Sequence, residues 1–450
     1  MGRKNYLKKK GREISIKEGC AYGVQEGFGL KNVTPYALAV GFTNFHIGLL
    51  HSVPSFLGNL SQLFTFNAMS KYSRKKLVFF GVLLQAIMWL FMIGVGYFYF
   101  YSDFKEVVPF SLIIIYSLLF LFDSFVGPAW TSWMKDLVPR ERGHYFGRRN
   151  EIIGFVAIVS MLIAGFILDY FKKTNLFYGF IVLFFVAFLF RSISAFLFLK
   201  QYEPKFKPDK KYYFSFKQFI GKMFHNNFGK FVVFLALVNF ATTIAAPFFA
   251  VYILKNLGFS YITFFIINIS SLSFSLIMMP YWGRKIDKYG SVKIMKLTGF
   301  FTPFIPLLWF FSPLFSNLPV IFLISYLFLV EIFSGIFWAG FNLAGGNFIY
   351  DAVTKEKISL CIAYSNILSG VGVFLGSILG GSISSLKFNF LNINSILFVF
   401  LISSVVRMLV YISMIHKIHE VRKVKHLSMK ERFFSFKFVN YFITYFAKVF

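Results

Sequence analysis

The chain has 450 residues, of which 57% are hydrophobic and only 14% charged, with a mean hydropathy of +0.66 and a formal net charge of +29. That composition excludes a soluble globular protein of this length, which would need far more polar surface. Two cysteines, Cys20 and Cys361, both in or beside apolar runs, exclude a disulfide framework or a cysteine metal cluster as an organising principle.

The N-terminal stretch "MGRKNYLKKKGREISIKEG" is basic, and the apolar run after it lacks a small-residue cleavage site, so no cleavable signal is expected. Tyr6 stands where a myristoylation motif needs Ser or Thr. Apolar runs then follow one another. "LVFFGVLLQAIMWLFMIGVGYFYFY" (77–101) has no charge and exceeds the ~20 residues a helix needs to cross a bilayer. In lipid such a run must be helical, because its backbone polar groups have no other partner. Twelve spans are expected, near 17–41, 45–69, 77–101, 108–133, 149–171, 176–199, 230–254, 259–282, 293–312, 319–346, 358–385 and 391–416.

Alternate loops differ sharply in charge. One set, with both termini, holds 39 Lys and Arg; the other holds Lys105, Lys172, Lys173, Lys255 and Lys387. Lys31, Arg191 and Arg407 fall inside spans. Positive residues stay cytoplasmic, so both termini are expected inside the cell. The basic balance then reports orientation and contact with anionic lipid headgroups, not nucleic acid.

The chain also repeats. "DAVTKEK" (351–357) follows "DLVPRER" (136–142) at an offset of 215, "DKYGSVK" (287–293) follows "SKYSRKK" (70–76) at 217, and Arg407 follows Arg191 at 216. These offsets point to a duplicated six-helix unit whose copies share one orientation. The expected organisation is a cytoplasmic N-terminus (1–16), a six-helix bundle (17–199), a linker with an interfacial helix (200–229), a second bundle (230–416) and a basic aromatic interfacial tail (417–450).

Several motifs reduce to packing. Gly372, Gly376 and Gly380, like Gly19, Gly23 and Gly27, recur every four residues and allow close helix approach, not a nucleotide loop. The histidines show no metal spacing, and no catalytic triad or phosphate cradle stands out. No metal or cofactor is expected, and the chain is not read as an enzyme. Ionisable residues inside spans are informative because each is costly in lipid. These are Glu26 and Lys31 in the first span, Asp123 in the fourth and Glu331 in the tenth. Arg191 and Arg407 are read as structural or snorkelling residues.

Two six-helix halves joined by a basic linker resemble the major facilitator superfamily. "GRKIDKYGSVK" (283–293) is similar to its loop signature, and "GPAWTSWMKDLVPRERGHYFGRRN" (127–150) to the loop between the fourth and fifth spans of its prokaryotic members, which implies a prokaryotic plasma membrane. The first-half copy of the signature, "NAMSKYSRKK", has Ser70 where the family has Asp. The resemblance implies an all-α membrane fold of twelve helices in two parallel-repeat bundles, and a secondary transporter working by alternating access. It implies a central cavity lined by the first, fourth, seventh and tenth spans. Candidates for substrate or coupling are then Glu26, Lys31, Asp123, Asn239, Thr242, Thr243, Glu331, Trp338 and Asn342, and the three carboxylates could couple flux to protons. Candidates for a cytoplasmic gate are Asp136, Arg140, Arg142, Gly283, Asp287, Gly290 and Asp351. The partners expected are a small solute, protons and lipids, with the chain a monomer. An integral-membrane enzyme and a passive channel remain the alternatives.

Overall fold

The computed structural model describes residues 3–138, 142–204, 214–354, 357–386, 394–422 and 424. The helices are α1 Arg3–Phe28, α2 Val33–Ala39, α3 Asn44–Lys71, α4 Arg74–Tyr101, α5 Val108–Leu137, α6 Arg142–Phe171, α7 Leu176–Lys200, α8 Phe216–Lys222, α9 Asn227–Thr243, α10 Phe248–Val251, α11 Tyr261–Tyr289, α12 Ser291–Phe301, α13 Phe304–Phe310, α14 Val320–Ala352, α15 Ile358–Ser385 and α16 Ser395–Met414. The starts are chemically marked. Thr43, Ser73, Asn175, Ser260 and Asn394 each accept a backbone N–H of the first turn they precede.

Among the described residues, nine helices are long and apolar enough to cross a membrane. The expected first, second and ninth spans fall short of that measure for visible reasons. α1 begins at Arg3 and is charged through its first turns. α3 carries His46, His51, Asn59 and Gln62, and packs against two protein neighbours, α5 and α15. The ninth span is broken into α12 and α13 at Thr302 and Pro303.

The helices form two bundles. In the first, α1 packs on α6 and α7, α3 on α5, and α4 on α5 and α7. In the second, α9 packs on α15 and α16, α11 and α12 on α14, and α13 on α16. The halves meet along two helix pairs, α3 with α15 and α6 with α11. The glycine stripes act inside each half. Added Cβ atoms on Gly372, Gly376 and Gly380 would run into carbonyls of Ala236, Phe240 and Ile244 on the seventh span, and those on Gly23 and Gly27 into carbonyls of α6. The expected interfacial linker helix is present as α8, where a capping box at Ser215 starts it and Phe219 packs on Tyr364. The tail from 425 lies outside the described residues.

One end of the molecule holds the start of α1 and the finish of α16; we call it the near end. At the opposite, far end, a single buried core takes in both halves. Tyr36, Ile47, Leu50, Leu112 and Phe184 of the first share it with Phe248, Tyr252, Phe265, Trp309 and Phe400 of the second. Toward the near end the cores separate, one around Trp133 and Val78, the other around Phe231 and Trp282. The bundles are therefore joined at the far end and divided at the near end.

Spans one and seven are interrupted at repeat-related places. α1 stops at Phe28, and the Asn32 side chain donates to the freed carbonyls of Gly27 and Phe28 at 2.8 and 3.1 Å. α9 stops at Thr243, shortly before Pro247, which has no N–H to continue the ladder.

Candidate functional site

Each half carries one arginine sunk in its middle, on its last span. Neither snorkels: Arg191 is 4% exposed and Arg407 5%. Of the structural and snorkelling roles expected, their surroundings support the structural one. A buried guanidinium has five donors to satisfy, and each half solves this differently.

In the first half, Arg191 Nη2 reaches Asp123 Oδ1 at 3.0 Å. Its Nε donates to Gln85 Oε1, and its guanidinium lies over the Tyr22 ring, 5.1 Å from the centroid. Ser194 continues the chain, donating to Glu18 Oε1 at 3.0 Å, while Glu18 Oε2 pairs with Arg149 Nη2 at 3.0 Å. Arg149 also stacks over Trp130 and bonds Ser15. Two carboxylates and two guanidiniums thus neutralise one another across α1, α5, α6 and α7. Asp123 keeps 40% of its side chain exposed, so it is the member that can meet a solute. On α5, Gly127 and Thr131 follow it at intervals of four, on one face, and a Cβ on Gly127 would meet nothing within 4 Å. Lys31 lies apart from this network. It pairs with Glu26 at 3.4 Å, across the break in the first span.

In the second half, Arg407 binds backbone. It donates to Thr302 O at 3.1 Å, where the ninth span breaks, to Thr242 O at 3.3 Å, which also accepts the Ala246 N–H near the end of α9, and to Ser403 Oγ at 3.1 Å. A cation at two helix C-termini is electrostatically well placed. Beside it is a cavity of about 220 Å³, lined by Thr242, Ala246, Asn268, Trp309, Glu331, Ser334, Trp338 and Arg407 among others. Glu331 Oε1 accepts from Trp309 Nε1 at 3.1 Å. The Thr242 hydroxyl is buried and has no hydrogen-bond partner among the described residues. Opposite charges on a cavity wall, with no direct pair between them, favour a polar occupant, since isolated buried ions are expensive.

Of the nine expected substrate or coupling residues, the structure brings Thr242, Glu331 and Trp338 to this cavity. Asn239 and Thr243 turn back on their own helix, donating to Leu235 O and Asn239 O, with Thr243 also reaching Val373 O on α15. Asn342 is exposed on α14. Glu26 occupies the repeat position of Thr242, at an offset of 216.

The expected gate residues sit at the near end, most of them engaged within one half. Asp136 pairs with the buried Arg74 at 2.8 Å, and Arg74 also meets Glu203 at 3.6 Å. Asp351 pairs with Arg422 at 3.0 Å and accepts from Ser291. Gly290 has φ 90°, a conformation that favours glycine, and a Cβ there would strike the Glu420 carboxylate, which accepts the Val292 N–H at 2.9 Å. Glu203 and Glu420 are repeat partners at an offset of 217, each closing its half after the last span. Gly283 packs loosely on Leu343. Asp287 is exposed and makes no hydrogen bond or ion pair with any described residue. Arg140 and the side chain of Arg142 lie outside the described residues.

Sequence reasoning missed Glu18, Gln85, Arg74 and Asp169. Glu18 falls at the edge of the expected first span and reads there as a loop charge, but α1 starts at Arg3 and carries it inside. No group of three or more metal-ligating side chains occurs among the described residues.

A family model described as the Major Facilitator Superfamily matches residues 25–342. A comparison with curated protein sequences gives no match. Among solved structures, a mutant of the nucleoside transporter NupG is similar at a TM-score of 0.67 and 16% identity, over 92% of this chain and 100% of that one. A bacterial homologue of the iron transporter ferroportin in an inward-facing state gives 0.66 at 11% identity, over 92% and 100% of the two chains. Such a homologue in an outward-facing state gives 0.60 at 12% identity, over 90% and 98%.

Proposed function

This chain belongs to the major facilitator superfamily, and on that premise we propose that it is a secondary transporter that moves a small polar solute by rocking its two bundles about the central face. The family makes it a multi-pass membrane transporter and not an enzyme. The observation that carries the mechanism is the division of its core: one body at the far end, two at the near end. That is the shape of a carrier caught open on one side.

The basic loops lie at the near end, so that side faces the cytoplasm and this conformation is inward-open. The higher TM-score to the inward-facing ferroportin homologue, 0.66 against 0.60, supports the same reading. Asp287, in the loop signature, is exposed and bonds no described residue, as an open gate would leave it.

The solute site we infer is the cavity beside the broken seventh span, with Thr242, Glu331, Trp338 and Arg407 on its walls. Glu331 and Asp123 are the coupling carboxylates, one in each half. Each sits where a change in packing between the halves alters its access to protons. The chain works as a monomer, with anionic headgroups around its basic near end.

The test is solute flux into proteoliposomes across a panel of small polar solutes, with and without a pH gradient. A carrier gives saturable uptake and counterflow that concentrates label against no gradient of its own. Flux that never saturates and shows no counterflow would identify a channel instead.

A further inference from the structure

Where α6 of one half meets α11 of the other, a carboxylate completes a helix across the boundary. Asp169 Oδ1 accepts the backbone N–H of Tyr261 at 2.8 Å, and Oδ2 that of Ile262 at 2.8 Å. These are the first two residues of α11, whose N–H groups have no partner inside their own helix. Ser260 takes the next, donated by Thr263. The seam is tight around this point. Gly165 lies against Ile262, and the Phe180 ring meets Tyr261 edge-on.

The repeat-related seam, between α15 and α3, is built without charge. Asn44 Nδ2 donates to Ser384 O at 2.8 Å, and Gly48 lies against Gly381 and the Ser377 carbonyl. At an offset of 216 from Asp169 stands Ser385, whose hydroxyl donates within its own helix. Among the described residues the charged cap is thus a feature of one seam only.

We propose that Asp169 is the far-end latch of the transport cycle. Its carboxylate holds the N-terminus of α11 while the far end is closed, and lets go when the halves separate there. A negative charge at a helix N-terminus contributes a modest amount, and the freed N–H groups and carboxylate pass to water when the seam opens. The latch is therefore strong enough to bias the equilibrium and weak enough to break in every cycle. Lys172 Nζ, 5.9 Å from the Tyr261 ring centroid, is a cation placed to receive the released carboxylate.

The proposal rests on the rocking mechanism above, and its test separates the two. In a background with Cys20 and Cys361 replaced by Ala, one reporter is Ala245→Cys, buried in the far-end core, and the other Thr131→Cys, exposed near the near end on the Asp123 face of α5. Labelling rates with a membrane-impermeant thiol reagent are measured from each side for wild type, Asp169→Asn and Asp169→Glu. For Asp169→Asn, the far-end rate should rise severalfold, up to about thirtyfold for the largest helix-terminus effects, while the near-end rate falls. Asp169→Glu should restore part of the wild-type ratio. Unchanged rates overturn the latch, and so does a rise at both ends, which means local unfolding. If the wild-type far-end reporter never labels under any solute condition, the rocking mechanism itself fails.

Discussion

Asp123 on α5 and Arg191 on α7 form an ion pair of 3.0 Å in which 40% of the carboxylate side chain is exposed and only 5% of the guanidinium. The same network ends in Glu18 and Arg149, where both partners are buried. Position in the network therefore decides what each carboxylate does for stability. Glu18→Gln leaves Arg149 without its counter-charge and should cost about 3–5 kcal/mol. Asp123→Asn breaks a pair that water already screens on one side, and should cost about 1 kcal/mol. Thermal unfolding in detergent should rank Glu18→Gln well below Asp123→Asn. Equal losses would mean that the network is not organised by burial.

Glu331→Gln keeps an oxygen to accept from Trp309, so the fold around the cavity should survive. What it removes is the ability to hold and release a proton. Solute–solute exchange should persist, while accumulation driven by a pH gradient should be lost. Accumulation with the wild-type pH profile would remove Glu331 from the coupling machinery.

Asp287 is exposed and makes no hydrogen bond or ion pair with a described residue in this conformation, so Asp287→Asn should change stability by less than about 0.5 kcal/mol. Its proposed work is in the other state, where the near end closes. Transport should fall severalfold with the melting temperature unchanged. A variant that transports normally would leave the loop signature here without a gating part.

Gly376 faces the Phe240 carbonyl, a backbone group that cannot step aside. Gly376→Ala should cost about 1–3 kcal/mol through overpacking of α15 on α9. Gly94 has nothing within 4 Å of an added Cβ, and Gly94→Ala should be neutral or stabilising. If the two behave alike, the glycine stripe is not a packing surface.

Hydropathy made most spans legible, and the 216-residue offset made Arg191 and Arg407 stand out as partners by position. Neither could show what those arginines bind. Asp123 is 68 residues from Arg191, and only packing brings them together. The two carbonyls that Arg407 binds lie where spans seven and nine break, and Pro247 and Pro303 signal those breaks without saying who takes the bonds. Asn239 and Thr243 illustrate the reverse case: polar residues on a cavity-lining span that spend their hydrogen bonds on their own backbone. Asp169 was hidden because it sits at a span end next to Lys172 and Lys173, where any charge reads as loop.

The central claim is that the halves rock, and distances across both ends test it most directly. Spin labels at Tyr72 and Tyr350 report the near end, and labels at Phe104 and Leu314 the far end; all four side chains are exposed. Pulsed electron paramagnetic resonance should give two distance populations at each end, with the near-end pair moving together as the far-end pair moves apart on addition of solute. A single unchanging distance at both ends, in a protein that still transports, would contradict the account.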